Sequence, residues 1–446
     1  MTELYCARWV LPLASPPIED GGVAVEGSRI IGTGTRDELL AQFPRATPRD
    51  FGEAAILPGF VNAHSHLELT GMRGFLEREE SDFRAWLGKL TLTRLERLTP
   101  DDLYVSAAWG AVEAARAGVT CLADASDAAA SSMRALADVG LRGIVYQESF
   151  GPNPADARAN FELLSEKVAL LRELESERVR VGVSPHAPYT VSPPQLELIA
   201  EYARAEHLPL MMHAAESEAE ELLMLEGRGP FAEGLARRGI EWRAPGISTI
   251  QHLARHGILA ARPLLAHCIR VDGADVEAIR EAGAGVAHCP KSNAKLGHGR
   301  APFAKFVARG VRVGLGSDSV ASNNLCDLLE ETRFALLLAR GKSAQWLNAE
   351  DGLQAATAGG ARALGLEAEI GTLAPGLQAD LAVVNLSGAH QTPVHDPVAA
   401  LVYASSARDV LLTMVAGRVV FSDDRVHTVD EDALRARINE INRRMT

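Results

Sequence analysis

Residues 57–66 read Leu-Pro-Gly-Phe-Val-Asn-Ala-His-Ser-His, which is the end of an apolar run followed by two histidines spaced two apart. Eight such short apolar runs occur along the chain, at 55–61, 118–123, 142–147, 179–183, 208–212, 263–266, 283–287 and 311–316. Most are followed by a stretch with helical apolar spacing, such as 101–117, 156–176 and 193–206. Strands that alternate with helices form a parallel sheet, and eight repeats predict an α/β fold, a (β/α)8 TIM barrel. A doubly wound open sheet is the alternative that the alternation alone leaves open.

The two ends of the chain have a different pattern. Residues 21–34 alternate apolar with small or polar positions between glycines, which is typical of a hairpin. The segments 380–386 and 410–421 show a similar strand-like pattern. We therefore expect both ends to form one small β-sandwich domain, with a helix closing the chain. The predicted domains are 1–56 and 371–446 for the β-sandwich and 57–370 for the catalytic barrel.

Composition and charge narrow the classes of function. The 446 residues are 47% hydrophobic and 23% charged, which is typical of a globular protein. No stretch approaches ~18 uncharged apolar residues, so no membrane-spanning helix is expected. The formal net charge of −13 makes binding to a nucleic-acid polymer unfavourable. The five cysteines never form C-x-x-C and predict reduced thiols in a cytoplasmic protein.

Side chains capable of catalysis follow the eight apolar runs directly. In chain order they are His64 and His66, Asp124, Glu148, His186, His213 and Glu216, His267, His288 and Asp318. Enzymes with a barrel fold build their active sites at the C-terminal ends of the strands. These side chains are therefore expected to meet at one mouth of the barrel.

Four of these residues predict a metal site. His64 and His66 point to the same face of one strand, because side chains alternate along a strand, so both can bind one ion. Alone, this pair could be incidental. With His213 and Asp318 from strands five and eight, it becomes a set of three nitrogen ligands and one carboxylate. Such a set with an open position is typical of a catalytic Zn2+ site, with Fe2+ or Mn2+ as alternatives.

These motifs together resemble the amidohydrolase superfamily. The resemblance rests on residues 57–66, His213-x-x-Glu216, the His267 and His288 strand ends, Gly314-Leu-Gly-Ser-Asp318 and the closing segment 371–383. It covers nearly the whole chain. Binuclear members bridge two metals with a lysine or glutamate on strand four, and residues 179–188 contain neither. The resemblance therefore implies a single divalent metal.

The resemblance also implies roles for three residues. Glu216 is similar to the acid/base glutamate of the mononuclear aminohydrolase branch, and would move a proton from water to a ring nitrogen of the substrate. His267 would orient the water, and Asp318 would both bind the metal and accept the water proton. The alternatives are that Glu216 is a carboxylate favoured by a helix N-terminus and that His267 is a buried structural residue.

Two kinds of deaminase resemble the chain around the predicted substrate pocket. Residues 184–192 and 70–74 are similar to methylthioadenosine/S-adenosylhomocysteine deaminases, whereas His66-Leu-Glu68 is closer to aminodeoxyfutalosine deaminases. The resemblance implies a purine nucleoside, and it leaves open which 5′ substituent the nucleoside carries. Glu68 would accept hydrogen bonds from vicinal ribose hydroxyls and Trp86 would cover the 5′ group. The full predicted substrate set is Glu68, Trp86, His186, His288 and Asn293.

The leading prediction is a metal-dependent hydrolytic deaminase of an adenosine-like nucleoside, which releases ammonia by means of a metal-bound hydroxide. One alternative is hydrolysis of an s-triazine or a cyclic amide on the same scaffold. A second is a barrel that has lost catalysis, although all four ligands are present here. A homodimer is expected from analogy of fold alone.

Overall fold

The computed structural model describes residues 2–340 and 346–445. Its strands are β1 Thr2–Val10, β2 Ile18–Glu26, β3 Arg29–Thr35, β4 Pro48–Asp50, β5 Ala54–Pro58, β6 Phe60–Ser65, β7 Val119–Ser126, β8 Arg142–Ser149, β9 Val179–Pro185, β10 Met211–Ala214, β11 Leu264–His267, β12 Gly285–His288, β13 Arg312–Leu315, β14 Leu381–Asn385, β15 Val410–Val415, β16 Arg418–Ser422 and β17 Arg425–Val426.

Its α-helices are α1 Arg36–Gln42, α2 Phe83–Arg97, α3 Pro100–Arg116, α4 Ala129–Val139, α5 Ala157–Arg172, α6 Pro193–Ala205, α7 Glu218–Glu226, α8 Pro230–Arg237, α9 Thr249–Arg255, α10 Gly273–Ala282, α11 Pro290–Lys295, α12 Phe303–Ala308, α13 Val320–Asn323, α14 Leu328–Ala339, α15 Ala349–Gln354, α16 Gly360–Leu364, α17 Pro397–Ala404 and α18 Glu431–Met445.

Two parallel sheets of four strands make the barrel. One has the order β6-β7-β8-β9 and the other β10-β11-β12-β13. The sheets meet at both edges, where Ser65 pairs with Asp318 and Val183 pairs with Leu210 in parallel bridges. The strands therefore follow one another around a closed ring in chain order. The predicted (β/α)8 barrel is confirmed.

The first apolar run contains two strands rather than one. Residues 54–58 form β5, which pairs with β1 and β14, whereas β6 is the first strand of the barrel. Gly59 separates them and passes very close to β7, since a Cβ atom there would lie 2.1 Å from Thr120 Cγ2. The expectation of a single strand over 55–61 was wrong because a close approach to a neighbouring strand cannot be read from apolar spacing.

Strands from both chain ends share one sheet. Its order is β17-β16-β15-β14-β5-β1-β2-β3, with β4 paired to β1, and β14 from the C-terminal part lies between β5 and β15. This confirms that the two ends form a separate β unit. The exact boundaries 1–56, 57–370 and 371–446 stay predictions.

A buried ion pair connects this sheet to the base of the barrel. The guanidinium of Arg142, at the start of β8, donates from Nε to Asp380 at 3.0 Å, and both side chains are almost completely buried. Asp380 also accepts a 2.7 Å hydrogen bond from the Ala416 amide. The contact lies at the N-terminal ends of the strands, so the opposite end of the barrel stays available for catalysis.

Local signals explain the outer helices. The helix α3 begins with a capping box between Thr99 and Asp102 and has Pro100 in its first turn, a position where the missing N–H costs nothing. Its alanine-rich face is buried against the barrel. The helices predicted at 101–117, 156–176 and 193–206 all form, with ends shifted by a few residues. In the described part of the chain, no helix combines the length and apolarity that a bilayer crossing needs.

The close approach at Gly59 gives a testable result. Gly59→Ala is expected to destabilise the fold by ~1–3 kcal/mol through overpacking against Thr120, which is fully buried. The matched control is Gly234→Ala in α8, where a Cβ atom meets nothing within 4 Å. Thermal unfolding should show a lower midpoint for the first variant and an unchanged or higher midpoint for the control. Equal midpoints would contradict the strand boundary at residue 59.

Candidate metal centre and active site

The ends of the barrel strands bring the predicted ligands together. His64 is on β6, His213 is on β10, and Asp318 follows β13. The backbone amide of Asp318 donates to the His64 carbonyl at 2.9 Å, so the first and last strands meet at this point. His64, His66 and His213 have ring nitrogens within 4.8 Å of one another. The predicted convergence is therefore present in the structure.

The donor atoms of these ligands have the separation that one metal ion requires. His66 Nε2 lies 3.2 Å from His213 Nε2, and Asp318 Oδ1 lies 3.5 Å from His64 Nε2 and 3.6 Å from His66 Nε2. Two donors bound at ~2.0–2.1 Å to a tetrahedral metal lie about 3.3 Å apart. His64 Nε2 is fully buried and has no hydrogen-bond partner. The residues fit a single metal ion.

Neighbouring groups orient the rings. The Nδ1 atom of His213 lies 2.9 Å from the His186 carbonyl oxygen, to which it can only donate, and this fixes the tautomer with Nε2 free to bind. The Nδ1 atom of His64 lies 3.3 Å from the sulfur of Met211. Each imidazole therefore presents its Nε2 atom to the centre.

The electrostatics favour the ligand forms of these groups. Burial lowers the pKa of His66 to about 4, and burial with neighbouring imidazoles lowers the pKa of His213 well below its usual value, so both rings stay neutral. The carboxyl of Asp318 is also buried, which opposes ionisation, but the imidazoles of His64, His267 and His66 hold its pKa well below the usual value. Neutral imidazoles and a charged carboxylate are the forms that bind a metal.

Three hydroxyl and amide groups hold Asp318 in one orientation. Its Oδ1 atom accepts from the Ser319 amide at 2.7 Å, and its Oδ2 atom accepts from the hydroxyls of Ser292 and Ser322. The backbone of Asp318 has a φ of 56°, and His267 has a φ of 73°. Such left-handed backbone is strained for residues other than glycine and is concentrated at functional sites.

Glu216 lies between two imidazoles beside the metal ligands. Its Oε1 atom is 3.6 Å from His267 Nε2 and 3.6 Å from His298 Nε2. Asn293 Oδ1 lies 2.9 Å from Nδ1 of His267 and so directs the opposite nitrogen toward Glu216. Burial raises the pKa of Glu216 to about 7, although the nearby His267 opposes the shift. A carboxyl group with this pKa can both accept and donate a proton at neutral pH.

Glu220 is a buried carboxylate next to Glu216 that the sequence motifs did not point to. Its carboxylate, which is fully buried, accepts from the backbone amides of Ala215 and Glu216 at 2.8 and 3.0 Å and from the Thr249 hydroxyl at 2.9 Å. These bonds hold the turn that carries Glu216, where Ala215 has a φ of 53°. A second glutamate four residues after Glu216, at the start of a helix, is the signal that could have identified it.

The five predicted substrate residues have different surroundings. His186 lies against His213, with ring centroids 4.7 Å apart, and its Nδ1 contacts the Thr190 hydroxyl at 2.8 Å. Asn293 contacts His267, and its amide nitrogen has no partner. His288 stacks on Phe303 at 5.2 Å and leaves Nδ1 without a partner.

Glu68 and Trp86 are placed differently from these three residues. Glu68 accepts from Arg94 Nε at 2.8 Å, from the Ala128 amide at 2.8 Å and from the Ser126 hydroxyl. Trp86 stacks on Phe83 at 6.0 Å and belongs to a buried apolar cluster in which α2 packs against α3 and α18. Their contacts in the structure are with the protein's own groups, and their role in substrate binding stays a prediction.

A second group of ligand-type residues surrounds His186. Glu148, His186 and His213 have donor atoms within 4.8 Å of one another. Oε1 of Glu148 is fully buried and has no hydrogen-bond partner. His213 cannot serve two ions, because its Nδ1 atom already donates to the His186 carbonyl. The geometry thus favours one metal ion, with Glu148 beside it.

Comparisons with protein families agree with this geometry. A model described as the amidohydrolase family matches residues 55–420, most of the chain. A second model, of an imidazolonepropionase-like composite domain of bacteria, matches residues 21–46. The chain belongs to the amidohydrolase family. The resemblance seen in the sequence is confirmed, and the protein is a hydrolase of this family.

Individual relatives of this amidohydrolase are similar over nearly its full length. The 5-methylthioadenosine/S-adenosylhomocysteine deaminase of Symbiobacterium thermophilum is 35% identical over 97% of this chain and 96% of its own. The crystal structure of an adenosine deaminase from Xanthomonas campestris with bound zinc has a TM-score of 0.87, at 28% identity, over 99% of this chain and 98% of that chain. Atrazine chlorohydrolase from Arthrobacter aurescens, complexed with zinc, has a TM-score of 0.84 at 23% identity, over 99% of this chain and 100% of that chain, which indicates a shared fold.

The arrangement of donors predicts the metal content of this amidohydrolase. The purified, zinc-loaded protein is expected to contain one equivalent per chain, and His213→Ala is expected to lose it because one of the four donors is removed. The matched control is His390→Ala. His390 is half-exposed, pairs with Asp409, and lies in the C-terminal part of the chain, after the last barrel strand. Elemental analysis after dialysis measures both. Two equivalents in the wild type, or one retained by His213→Ala, would contradict a single site at these residues.

Proposed function

We propose that this amidohydrolase is a metal-dependent aminohydrolase that deaminates an adenine nucleoside. In the overall reaction, water adds to the ring carbon that carries the amino group, and ammonia leaves, so an aminopurine becomes the corresponding oxopurine. The observation that carries the proposal is the position of Glu216, whose carboxyl lies between His267 and His298 and beside the donors His64, His66, His213 and Asp318.

We infer that His64, His66, His213 and Asp318 hold the metal. Zn2+ is the proposed ion because three imidazoles and one carboxylate at tetrahedral spacing suit it, and because two zinc-containing structures share the fold. Fe2+ and Mn2+ remain alternatives for the same donor set. The bound metal would supply Lewis acidity that lowers the pKa of a water molecule from 15.7 to around 7.

Glu216 is the proposed group for proton transfer. The ring nitrogen next to the attacked carbon must gain a proton as that carbon becomes tetrahedral, and the departing amine must gain another. A carboxyl with a pKa of about 7 exists in both forms at neutral pH and can take a proton from water and pass it to the ring nitrogen. The hydrogen bond from the Glu216 amide to the Glu220 carboxylate holds the backbone of Glu216, and so keeps the Glu216 carboxyl near the proposed metal donors.

His267 and Asp318 have supporting roles in this proposal. His267 is held by Asn293 and presents Nε2 toward Glu216, so it can hydrogen-bond the nucleophile and orient it. One oxygen of Asp318 faces His64 and His66, while two serine hydroxyls hold the other oxygen. The carboxylate can therefore accept a proton from water without turning away from the metal.

The purine nucleoside is favoured over other cyclic amidines by the relatives. The deaminases named above for 5-methylthioadenosine/S-adenosylhomocysteine and for adenosine are 35% and 28% identical. The triazine-type relative shares only the fold at 23% identity, so an s-triazine or a cyclic amide is the weaker candidate. The 5′ group, the cytoplasmic location and the homodimer stay predictions.

A screen of ammonia release tests the class of substrate. The metal-loaded enzyme is expected to act on adenosine, methylthioadenosine, S-adenosylhomocysteine or aminodeoxyfutalosine, and much more slowly on guanine or an s-triazine. Metal-free protein is the matched control. Fastest release from the triazine, or from a free base, would move the enzyme to the alternative class.

Replacement of Glu216 tests the proton-transfer role. Glu216→Gln keeps the size and hydrogen-bonding shape of the side chain but cannot carry a proton, so kcat should fall by ~10^2–10^4-fold while metal content is unchanged. Glu218→Gln is the matched control, since this glutamate is exposed in the first turn of α7. Near-normal kcat in Glu216→Gln with metal retained would assign the proton transfer to another group.

A further inference from the structure

We propose that Glu148, together with His186, recognises the vicinal hydroxyls of the substrate's ribose, the role that the sequence assigns to Glu68. This inference rests on the proposed function and adds to it the residue that determines selectivity for the sugar. The substrate class it implies is a ribonucleoside rather than a deoxyribonucleoside, a free purine base or an s-triazine.

The hydrogen bonds of Glu68 point to a structural role. One oxygen accepts from Arg94, and the other accepts from the Ser126 hydroxyl and the Ala128 amide. Arg94 is mostly buried and also pairs with Asp127 at 3.0 Å. Three of the roughly four acceptor positions of the Glu68 carboxylate are therefore already used by the protein. The carboxylate therefore joins the loop after β6 to α2 and to the end of β7.

The Glu148 carboxyl, unlike that of Glu68, has a buried oxygen that receives no hydrogen bond from the protein. The residue is 7% exposed, and its Oε1 atom is fully buried without a hydrogen-bond partner. Buried polar groups without a partner are rare in folded proteins and call for a specific explanation, such as a bound ligand or water. Glu148 is at the C-terminal end of β8, the end at which barrel enzymes bind their substrates.

The position of Glu148 relative to the metal ligands supports a contact with substrate. A carboxyl oxygen of Glu148 and ring nitrogens of His186 and His213 lie within 4.8 Å of one another. His213 is a proposed metal ligand, so Glu148 and His186 lie next to the proposed metal centre. The ring of Phe150, which is partly exposed, lies 4.9 Å from His186 and covers this pair on one side.

The chemistry of this pair suits two adjacent hydroxyls. A carboxyl oxygen accepts a hydrogen bond from one hydroxyl, and an imidazole can accept from, or donate to, its neighbour. Nδ1 of His186 is paired with Thr190, so Nε2 is the nitrogen that stays free for a ligand. A metal ion at this pair is disfavoured, because the third candidate ligand, His213, already uses its Nδ1 in the bond to the His186 carbonyl.

The test compares matched ribo- and 2′- and 3′-deoxyribonucleosides on the metal-loaded enzyme. The wild type is expected to prefer the ribonucleoside by about 2- to 10-fold in kcat/KM, the effect of one hydrogen bond to an uncharged group, because burial raises the pKa of the Glu148 carboxyl well above its usual value. Glu148→Ala should reduce this ratio toward one, mainly through kcat/KM of the ribonucleoside, and Glu148→Gln should keep part of it because its amide oxygen still accepts. Metal content should stay at the wild-type value in both.

Two control variants separate this role from a general loss of structure. Glu68→Gln should lower the unfolding midpoint, because Arg94 loses a charged partner, but should leave the ribo-to-deoxy ratio unchanged. Glu166→Gln, on the exposed face of α5, should change neither quantity.

Four results would overturn the role of Glu148. They are equal rates for both sugars in the wild type, an unchanged ratio in Glu148→Ala, a ratio lost in Glu68→Gln instead, or a second metal equivalent that disappears in Glu148→Gln. Turnover with any of these results leaves the deaminase proposal intact. Absence of turnover on every purine nucleoside would instead overturn the deaminase proposal and the role of Glu148 together.

Discussion

The hydrogen bond from the Asp318 amide to the His64 carbonyl, 2.9 Å long, is the contact on which the site depends. It joins the last strand of the barrel to the first. The other junction of the two half-barrels has an equivalent bond, from the His213 amide to the His186 carbonyl at 2.9 Å. Backbone groups of site residues thus take part in both closures of the barrel. The pairing that closes the ring therefore also brings the proposed metal donors close together.

The close approach of the strands has a cost that other residues offset. Gly316 lies where a Cβ atom would come within 2.8 Å of His64 Cβ, so the last strand can approach the first only without a side chain. Asp318, His267 and Ala215 adopt left-handed backbone conformations. Buried hydrogen bonds from Ser319 to Asp318 and from the Glu216 amide to Glu220 hold two of these turns. The strain persists because the surrounding bonds allow no easier conformation.

The sequence predicted the barrel, and it predicted that the proposed metal donors lie close together, because both follow from local patterns. Apolar runs identify the strands, and the polar residue after each run lies at the same end of the barrel by geometry. Gly59 shows where this reasoning fails, since the division of the first run depends on Thr120, a residue of another strand. The surroundings of Glu68 likewise depend on a distant residue. Its carboxylate is occupied by Arg94, which arrives from a helix 26 residues later, and no local pattern reveals that pairing. Glu220, in contrast, lies within one helical turn of Glu216 and was within reach of sequence analysis.

Anomalous X-ray diffraction at the zinc absorption edge, on crystals of the zinc-loaded protein, tests the central claim most directly. One strong peak per chain is expected, at ~2.0–2.2 Å from the Nε2 atoms of His64, His66 and His213 and from Oδ1 of Asp318. Glu216 should stay outside bonding distance of this peak. A peak bound by Glu148 and His186, a second peak of equal height, or no peak among the four donors would contradict a single metal ion held by these residues.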